Sequence, residues 1–156
     1  RKESNNDLFV PYLKAAVETT EGSEEKEVVN YRKWYEADYV LFVQGDVEGA
    51  VEVKKANMEE GWQKNANQLN NFAWWCFENS INLDEAYTMA QKGVDLAAAG
   101  NEKANVLDTL AEICNLKGDC DEAVTLIHLA IAEDPKNEYF QKQAQRFEAA
   151  ALAQQN

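Results

Sequence analysis

The chain has 156 residues, 46% of them apolar and only two of them proline, a length and composition that suit one helical domain or one short repeat array. Its formal net charge is −13, and such a field repels phosphate backbones, which argues against a nucleic-acid partner. No stretch approaches about 18 uninterrupted apolar residues, so we expect no membrane span.

A first helix is predicted within residues 1–22. Asn6 and Asp7 can cap its start, and Pro11 then falls in the first turns, where a missing backbone N–H is tolerated. The positions that share its apolar stripe are Leu8, Tyr12, Ala15 and Ala16. Glycine and serine at the end of this segment favour a turn.

Three pairs of helices are predicted next. The first pair runs from about 23 to 43 and from about 47 to 62, around a turn at residues 44–46. The second pair occupies about 66–79 and 83–98, and the third pair lies within 107–135. A last helix is expected at about 137–154, with one apolar and one polar side, and its apolar side is assigned Tyr139, Phe140, Phe147 and Leu152. The sequence therefore predicts about eight helices and no strand.

The third pair has the clearest pattern. Its first helix carries an apolar stripe at i, i+3, i+4 and i+7, formed by Leu107, Leu110, Ala111 and Cys114. Gly118 and Asp119 end that helix, and small apolar residues such as Ala123 and Ala130 line the second one. Pro135 ends the second helix because proline cannot donate the next helical hydrogen bond.

This spacing resembles the tetratricopeptide repeat, whose pattern is W-x2-L-G-x2-Y, then A-x3-F, then P, over about 34 residues. The third pair reads Leu107-x2-Leu110-Ala111-x2-Cys114, then Ala123-x3-Ile127, then Pro135. The second pair has Phe72 and Ala73 at the large and small positions. The first pair starts with Trp34 but has Asp38 at the small position and Asn57 where a late alanine belongs, so it is a degenerate copy. Ala50, Ala86 and Ala123 take the same place in the three pairs.

The resemblance implies an all-α fold, a right-handed superhelical array of antiparallel helix pairs. Residues 1–156 would form one domain. Its parts are the N-terminal helix 1–22, the degenerate repeat 31–64, the repeats 66–101 and 104–137, and the C-terminal capping helix 138–156. A capping helix is expected because such arrays need a polar face over the last repeat.

In this family the first helix of each pair lines a concave groove. By repeat position, the groove residues would be Tyr35, Tyr39, Phe42, Asn70, Trp74, Phe77, Asp108, Glu112 and Asn115. Aromatic rings and amides suit an extended peptide, and the acidic third helix would prefer a cationic segment. The alternative is packing: Trp74 and Trp75 point about 100° apart on a helix, so at least one must be buried.

Residue types for catalysis are scarce. His128 is the only histidine, and we interpret it as a surface residue, since no serine or cysteine stands at recognisable spacing from it. Asp119, Asp121 and Glu122 are better explained as a turn and helix cap than as a calcium loop. The three cysteines, Cys76, Cys114 and Cys120, form no CxxC motif. A disulfide between Cys114 and Cys120 is disfavoured because disulfide geometry is demanding. We therefore predict a non-enzymatic interaction module without metal or cofactor.

An alternative function comes from a second resemblance. The runs 70–86 and 107–124 look like the helical repeat tail of some bacterial thioredoxin-like proteins. The chain would then be an accessory structural or dimerisation domain, with the redox centre in an upstream domain of the same polypeptide. Because the sequence begins at Arg1 rather than methionine, we expect a processed product or part of a longer chain. Periplasm and cytoplasm both stay open as its compartment.

Overall fold

The computed structural model describes residues 3–154, with side chains from residue 9 onward. This part of the chain contains eight α-helices and no β-strand, so the all-α prediction is confirmed. Contacts between the helices divide the chain into two compact units, one up to Glu59 and one from Glu60 onward. Among the described residues, no helix combines the length and the apolar character that crossing a bilayer requires.

The first unit has three α-helices: α1 (Glu3–Glu18), α2 (Lys26–Tyr39) and α3 (Val47–Ala56). A π-helical turn, Val40–Gln44, continues α2. Gly45 ends this turn with a φ of 72°, a left-handed backbone that glycine adopts without a steric penalty. Asp46 then caps α3, since its carboxylate accepts the backbone N–H of Gly49 at 2.9 Å.

The start of α1 differs from the prediction. The helix already begins at Glu3, before the expected caps Asn6 and Asp7, whose side chains lie outside the described part. Pro11 therefore lies in the helix interior rather than in the first turn. There it removes the N–H that would bond to the carbonyl four residues earlier, which weakens the helix locally.

The buried face of α1 was also predicted wrongly. Leu13 is only 1% exposed, whereas Tyr12, a member of the predicted stripe, is 73% exposed. Ala15 is exposed and Ala16 is half-buried, and the side chain of Leu8 lies outside the described part. Leu13 follows Tyr12 by one residue, so the two side chains point about 100° apart around the helix. The face with Leu13 is buried because burying leucine removes more apolar area from water than burying alanine.

The predicted end of α3 is wrong as well. The helix stops at Ala56, and Gly61 has a φ of 80° before a short 3-10 turn, Trp62–Lys64. The indole of Trp62 is buried with its centroid 5.8 Å from that of Phe72. Trp62 is therefore a core residue of the second unit rather than the last turn of α3.

The second unit has five α-helices: α4 (Ala66–Asn79), α5 (Leu83–Leu96), α6 (Asn101–Lys117), α7 (Cys120–Glu133) and α8 (Glu138–Gln154). Both predicted ends of α4 are confirmed, and Asn65 caps it by accepting the N–H of Gln68 at 3.0 Å. The end of α5 comes slightly before the predicted residue 98, because Ala97 adopts an extended backbone.

Small residues bring the helices of the second unit close together. Helix α4 packs against α5 and α6, α6 packs against α5 and α7, and α7 packs against α8. Ala86 and Ala123, the alanines that align between repeats, are fully buried. A Cβ on Gly93 would lie 3.0 Å from Val106 Cγ1, so this glycine permits the close approach of α5 and α6. The predicted stripe of α6 is confirmed, since its four members are buried: Leu107, Leu110, Ala111 and Cys114.

The buried face of α8 is only partly the predicted one. Phe140 and Phe147 are buried as expected, but Tyr139 and Leu152 are exposed. Ala144 and Ala151 are buried instead. The buried positions are thus i, i+4, i+7 and i+11, the spacing of one helical face. This face leaves Tyr139 at its edge.

Candidate binding surface

In the first unit, α1 contacts two of the predicted groove residues. The hydroxyl of Tyr39 donates to Glu18 Oε1 at 2.9 Å, and this hydrogen bond raises the pKa of Tyr39. Phe42 packs edge-on against Phe9, with 6.4 Å between ring centroids. The N-terminal helix therefore lies on the aromatic residues that the resemblance assigns to the groove of the first pair.

Tyr35, the third predicted groove residue of this unit, lies in an aromatic cluster. Its ring centroid is 5.0 Å from that of Tyr31, and a hydrogen bond between the two side chains raises the pKa of Tyr35. The cluster lines a cavity of about 230 Å³ together with Phe9, Tyr12, Leu13 and Ala16. Ordinary small-molecule sites start near 300 Å³, so this cavity is small for a ligand site.

In the second unit, α4 presents a polar and aromatic surface. Trp75 is buried and Trp74 is half-buried, which confirms that one of the two tryptophans packs in the core. Trp74 lies beside Phe77, with 5.1 Å between their centroids. One turn earlier, Asn70 Oδ1 is buried without a hydrogen-bond partner among the described residues.

Two of the three acidic residues of α6 are buried, which the sequence did not predict. Asp108 and Glu112 are each 6% exposed. The hydroxyl of Tyr139 donates to Asp108 Oδ2 at 3.3 Å, and the guanidinium of Arg146 forms an ion pair with Glu112. Within the described part of the chain, Asp108 Oδ1 has no hydrogen-bond partner.

This environment perturbs the titration of Asp108. Burial, and then the charge of Glu112, raise the pKa of Asp108 to about 7. The hydrogen bond from Tyr139 and the charge of Arg146 oppose this change but do not cancel it. The carboxyl group of Asp108 therefore titrates near neutral pH, because burial disfavours its charged form.

Asn115 does not join the acidic pair. It is half-buried near the end of α6, where its Oδ1 accepts the thiol hydrogen of Cys120 at 3.6 Å. This bond connects the last turn of α6 with the first turn of α7. Asn115 thus has a structural role at the turn in the described structure.

The thiols and the histidine occupy ordinary structural positions. Within the described residues the three cysteines are buried and form no disulfide. Burial raises the pKa of Cys114 to about 12, with Glu122 and Asp119 adding to the effect. A thiol with so high a pKa is a poor nucleophile at neutral pH. His128 is exposed, as predicted, and lies 3.0 Å from Glu148 Oε1.

Sequence reasoning missed Tyr139 and Arg146 as members of this surface. It treated α8 only as a cap. The signal was nevertheless present, because Arg146 follows Glu112 by 34 residues, one period of the family. Extending the repeat phase into α8 would have placed arginine beside glutamate.

No protein-family model matches the sequence, and no curated protein matches it. The resemblance to tetratricopeptide repeats therefore stays a prediction from the residues quoted above, and so does the assignment of the groove.

Proposed function

We propose that the chain is a non-enzymatic protein-interaction module whose second unit binds an extended peptide on the surface formed by α4 and α6. In this proposal α4 with α5 and α6 with α7 are antiparallel pairs of the tetratricopeptide type, and α8 takes the place of the next first helix. The pairs would stack into a right-handed superhelix. The ligand belongs to a partner protein or to a neighbouring domain.

Hydrogen bonds between side chains one repeat apart support the stacking. Several polar bonds of the second unit span 33 to 36 residues, close to the period of about 34 in the family. They connect Asn67 with Glu102, Tyr87 with Glu122, Lys117 with Asp84, Arg146 with Glu112, and Gln154 with the carbonyl of Gly118. Equivalent positions in adjacent repeats are neighbours in such arrays.

One observation carries the binding proposal. In the described part of the chain, two buried side-chain oxygens have no partner, Asn70 Oδ1 and Asp108 Oδ1, and they stand at the same place in the proposed repeats. Each comes two residues before the large residue of the pattern, Phe72 or Leu110, and α4 and α6 are in contact. An unsatisfied buried acceptor costs about 1–3 kcal/mol. A ligand that donates hydrogen bonds along α4 and α6 would recover this cost at both positions.

The aromatic pair on α4 supplies the apolar part of the proposed surface. Trp74 and Phe77 are half-buried neighbours, so their rings offer contact area that is already ordered. Rigid aromatic residues dominate many interfaces because burying them costs little conformational entropy. A partner residue packing on Trp74 would therefore provide affinity, while Asn70 and Asp108 would accept hydrogen bonds from the peptide.

The proposal is tested by selecting random peptides on the immobilised chain and measuring the affinity of the enriched peptides by fluorescence anisotropy. Trp74→Ala should weaken binding about tenfold or more, the loss typical of a central aromatic contact. The matched control is Trp34→Ala, since Trp34 is an exposed tryptophan of the first unit. The Trp34→Ala variant should bind the enriched peptides with the affinity of the wild type. Helicity by circular dichroism verifies that both variants fold.

Two results would overturn the proposal. The first is a selection that enriches no peptide. The second is a folded Trp74→Ala variant that binds every enriched peptide as tightly as the wild type does. If Trp74→Ala instead unfolds, Asn70→Ala provides the same comparison at a polar position.

A further inference from the structure

Two side chains of α8 cover the two buried carboxylates of α6. Asp108 and Glu112 are one turn apart on α6, and Tyr139 and Arg146 are two turns apart on α8, so each pair lies on one face of its helix. Tyr139 contacts Asp108 and Arg146 contacts Glu112. The contact therefore matches an aromatic hydroxyl and a guanidinium with two acids.

The backbone of α8 is held independently of these two side chains. Phe140 and Phe147 are buried where α8 packs on α7. The side chain of Arg146 is 47% exposed, and that of Tyr139 is also exposed. Both side chains can therefore leave the carboxylates by changing rotamer, a fast motion that needs no displacement of the helix.

The carboxylates in this contact outnumber the cations. Arg146 is the single cation that pairs with either carboxylate in the described structure, and it pairs with Glu112. Asp108 is more than nine-tenths buried, and its Oδ1 has no partner, although Oδ2 of the same carboxylate is held by Tyr139. Asn70 Oδ1, at the equivalent position of α4, is a further acceptor without a partner.

We propose that Asp108 and Glu112 bind an arginine side chain of the partner peptide, and that Tyr139 and Arg146 occupy this site in the unbound chain. The inference rests on the proposed function and specifies its ligand. A guanidinium suits the site because its planar set of N–H donors can serve two carboxylates at once. The net charge of −13 favours the approach of such a peptide. Arg146 is then an internal competitor.

The probes are fluorescein-labelled tetra-arginine and the neutral, nearly isosteric tetra-citrulline, measured by anisotropy at about 150 mM salt, where long-range attraction is largely screened. The wild type should bind tetra-arginine and not tetra-citrulline. Asp108→Asn and Glu112→Gln should each weaken tetra-arginine binding about tenfold. The matched controls are Asp95→Asn and Asp121→Asn, which remove the same charge from exposed positions of the same unit, and they should bind like the wild type.

The decisive variant is Arg146→Gln. Removing a competitor that fills the site most of the time raises apparent affinity by the reciprocal of the open fraction, so tetra-arginine should bind about five to ten times more tightly. Lys142→Gln changes the net charge equally, from an exposed position of the same helix, and should have no such effect. Tyr139→Phe removes only the hydroxyl and should tighten binding more weakly.

Several outcomes would overturn the inference. Equal tightening by Arg146→Gln and Lys142→Gln would reduce the effect to net charge, and weaker binding by Arg146→Gln would make Arg146 part of the binding site. Wild-type affinity in Asp108→Asn and Glu112→Gln would place the arginine elsewhere. If selected peptides depend on Trp74 but not on Arg146, Asp108 or Glu112, the interaction module stands and the arginine site fails. If neither the peptides nor tetra-arginine bind, both fail.

Discussion

The first residue of the repeat pattern is exposed to solvent in the first unit and buried in the second unit. Trp34, which opens the pattern in the first unit, is 79% exposed, whereas Leu107, its counterpart in the second unit, is 3% exposed. The residues that differ nearby are Asp38 and Ala111, which occupy the small position; Asp38 is half-buried and Ala111 is fully buried. A small residue permits close helix contact, and a carboxylate does not. Apolarity alone therefore does not decide burial here.

The polar contacts of the two units also differ in range. In the first unit, polar contacts between helices include those of Arg32 with the carbonyl of Thr20 and of Asn57 with the carbonyl of Lys33, which connect residues 12 and 24 apart. In the second unit many of them connect residues 33 to 35 apart. The first unit is thus held by contacts between successive helices, and the second unit also by bonds between helices two apart in the chain, such as Asn67 of α4 with Glu102 of α6. We therefore expect the second unit to unfold more cooperatively than the first unit.

The largest expected effect is the protection of the thiols. All three cysteines are buried in the second unit, and burial raises the pKa of Cys114 to about 12. Labelling by an aromatic disulfide reagent should therefore be about 1,000-fold slower or more in the folded protein than in urea, since it requires opening of that unit. Rapid labelling of one equivalent in native buffer would show that the second unit is not closed around its cysteines.

Matched phenylalanine truncations provide the next comparison. Phe72 is fully buried in the second unit, so Phe72→Ala should lower the free energy of unfolding by about 3–5 kcal/mol. Phe42 is half-buried in the first unit, and Phe42→Ala should cost about 1–2 kcal/mol because less apolar area is lost. Urea titrations followed by circular dichroism measure both. Equal losses would remove the distinction between the units.

The pH dependence of Asp108 should be smaller but specific. Its folded pKa of about 7 lies above the ordinary aspartate pKa of 3.8, so between these values the folded state binds more protons and stability falls as pH rises. Asp108→Asn removes the buried charge and should stabilise the protein by about 2–4 kcal/mol at about pH 8, with the gain largely lost near pH 4. Urea titrations at several pH values measure this difference. Asp95→Asn, an exposed control, should show none, and a pH-independent effect of Asp108→Asn would contradict the assignment.

The smallest expected effect concerns an ion pair on the surface of the second unit. Lys117 Nζ lies 2.8 Å from Asp84 Oδ1, and the side chain of Asp84 is 96% exposed. The hydrogen bond from Lys117 lowers the pKa of Asp84, but solvent screens such a pair. Asp84→Asn should leave the urea midpoint unchanged within error. A clear shift would mean that polar bonds between repeats stabilise the second unit more than its core packing suggests.

The helices of the second unit were largely predictable, because its apolar and small residues recur at helical spacing. The bounds of α4 and the burial of Ala86 and Ala123 follow from that pattern. Trp62 was placed in α3 because it continues the helical phase, and only its contact with Phe72 assigns it to the other unit. Tertiary contacts of this kind leave no local signal in the sequence.

For the candidate surface, the sequence located residues but not their surroundings. Asp108 and Glu112 were assigned to the third helix pair by repeat position, and an acidic residue beside a stripe is ordinarily solvated. Their burial depends on Tyr139 and Arg146, which stand outside the quoted repeats. A helix that comes later in the chain, α8, thus buries carboxylates that α6 alone would leave exposed to solvent.

The pairing of Glu112 with Arg146 also limits how this array could lengthen by gene duplication. If one period of about 34 residues were copied, the residue 34 positions after Glu112 would be a second glutamate instead of Arg146. Two buried carboxylates would then face each other without a counterion, an arrangement that costs several kcal/mol. A chain lengthened in this way would need a compensating substitution at this position.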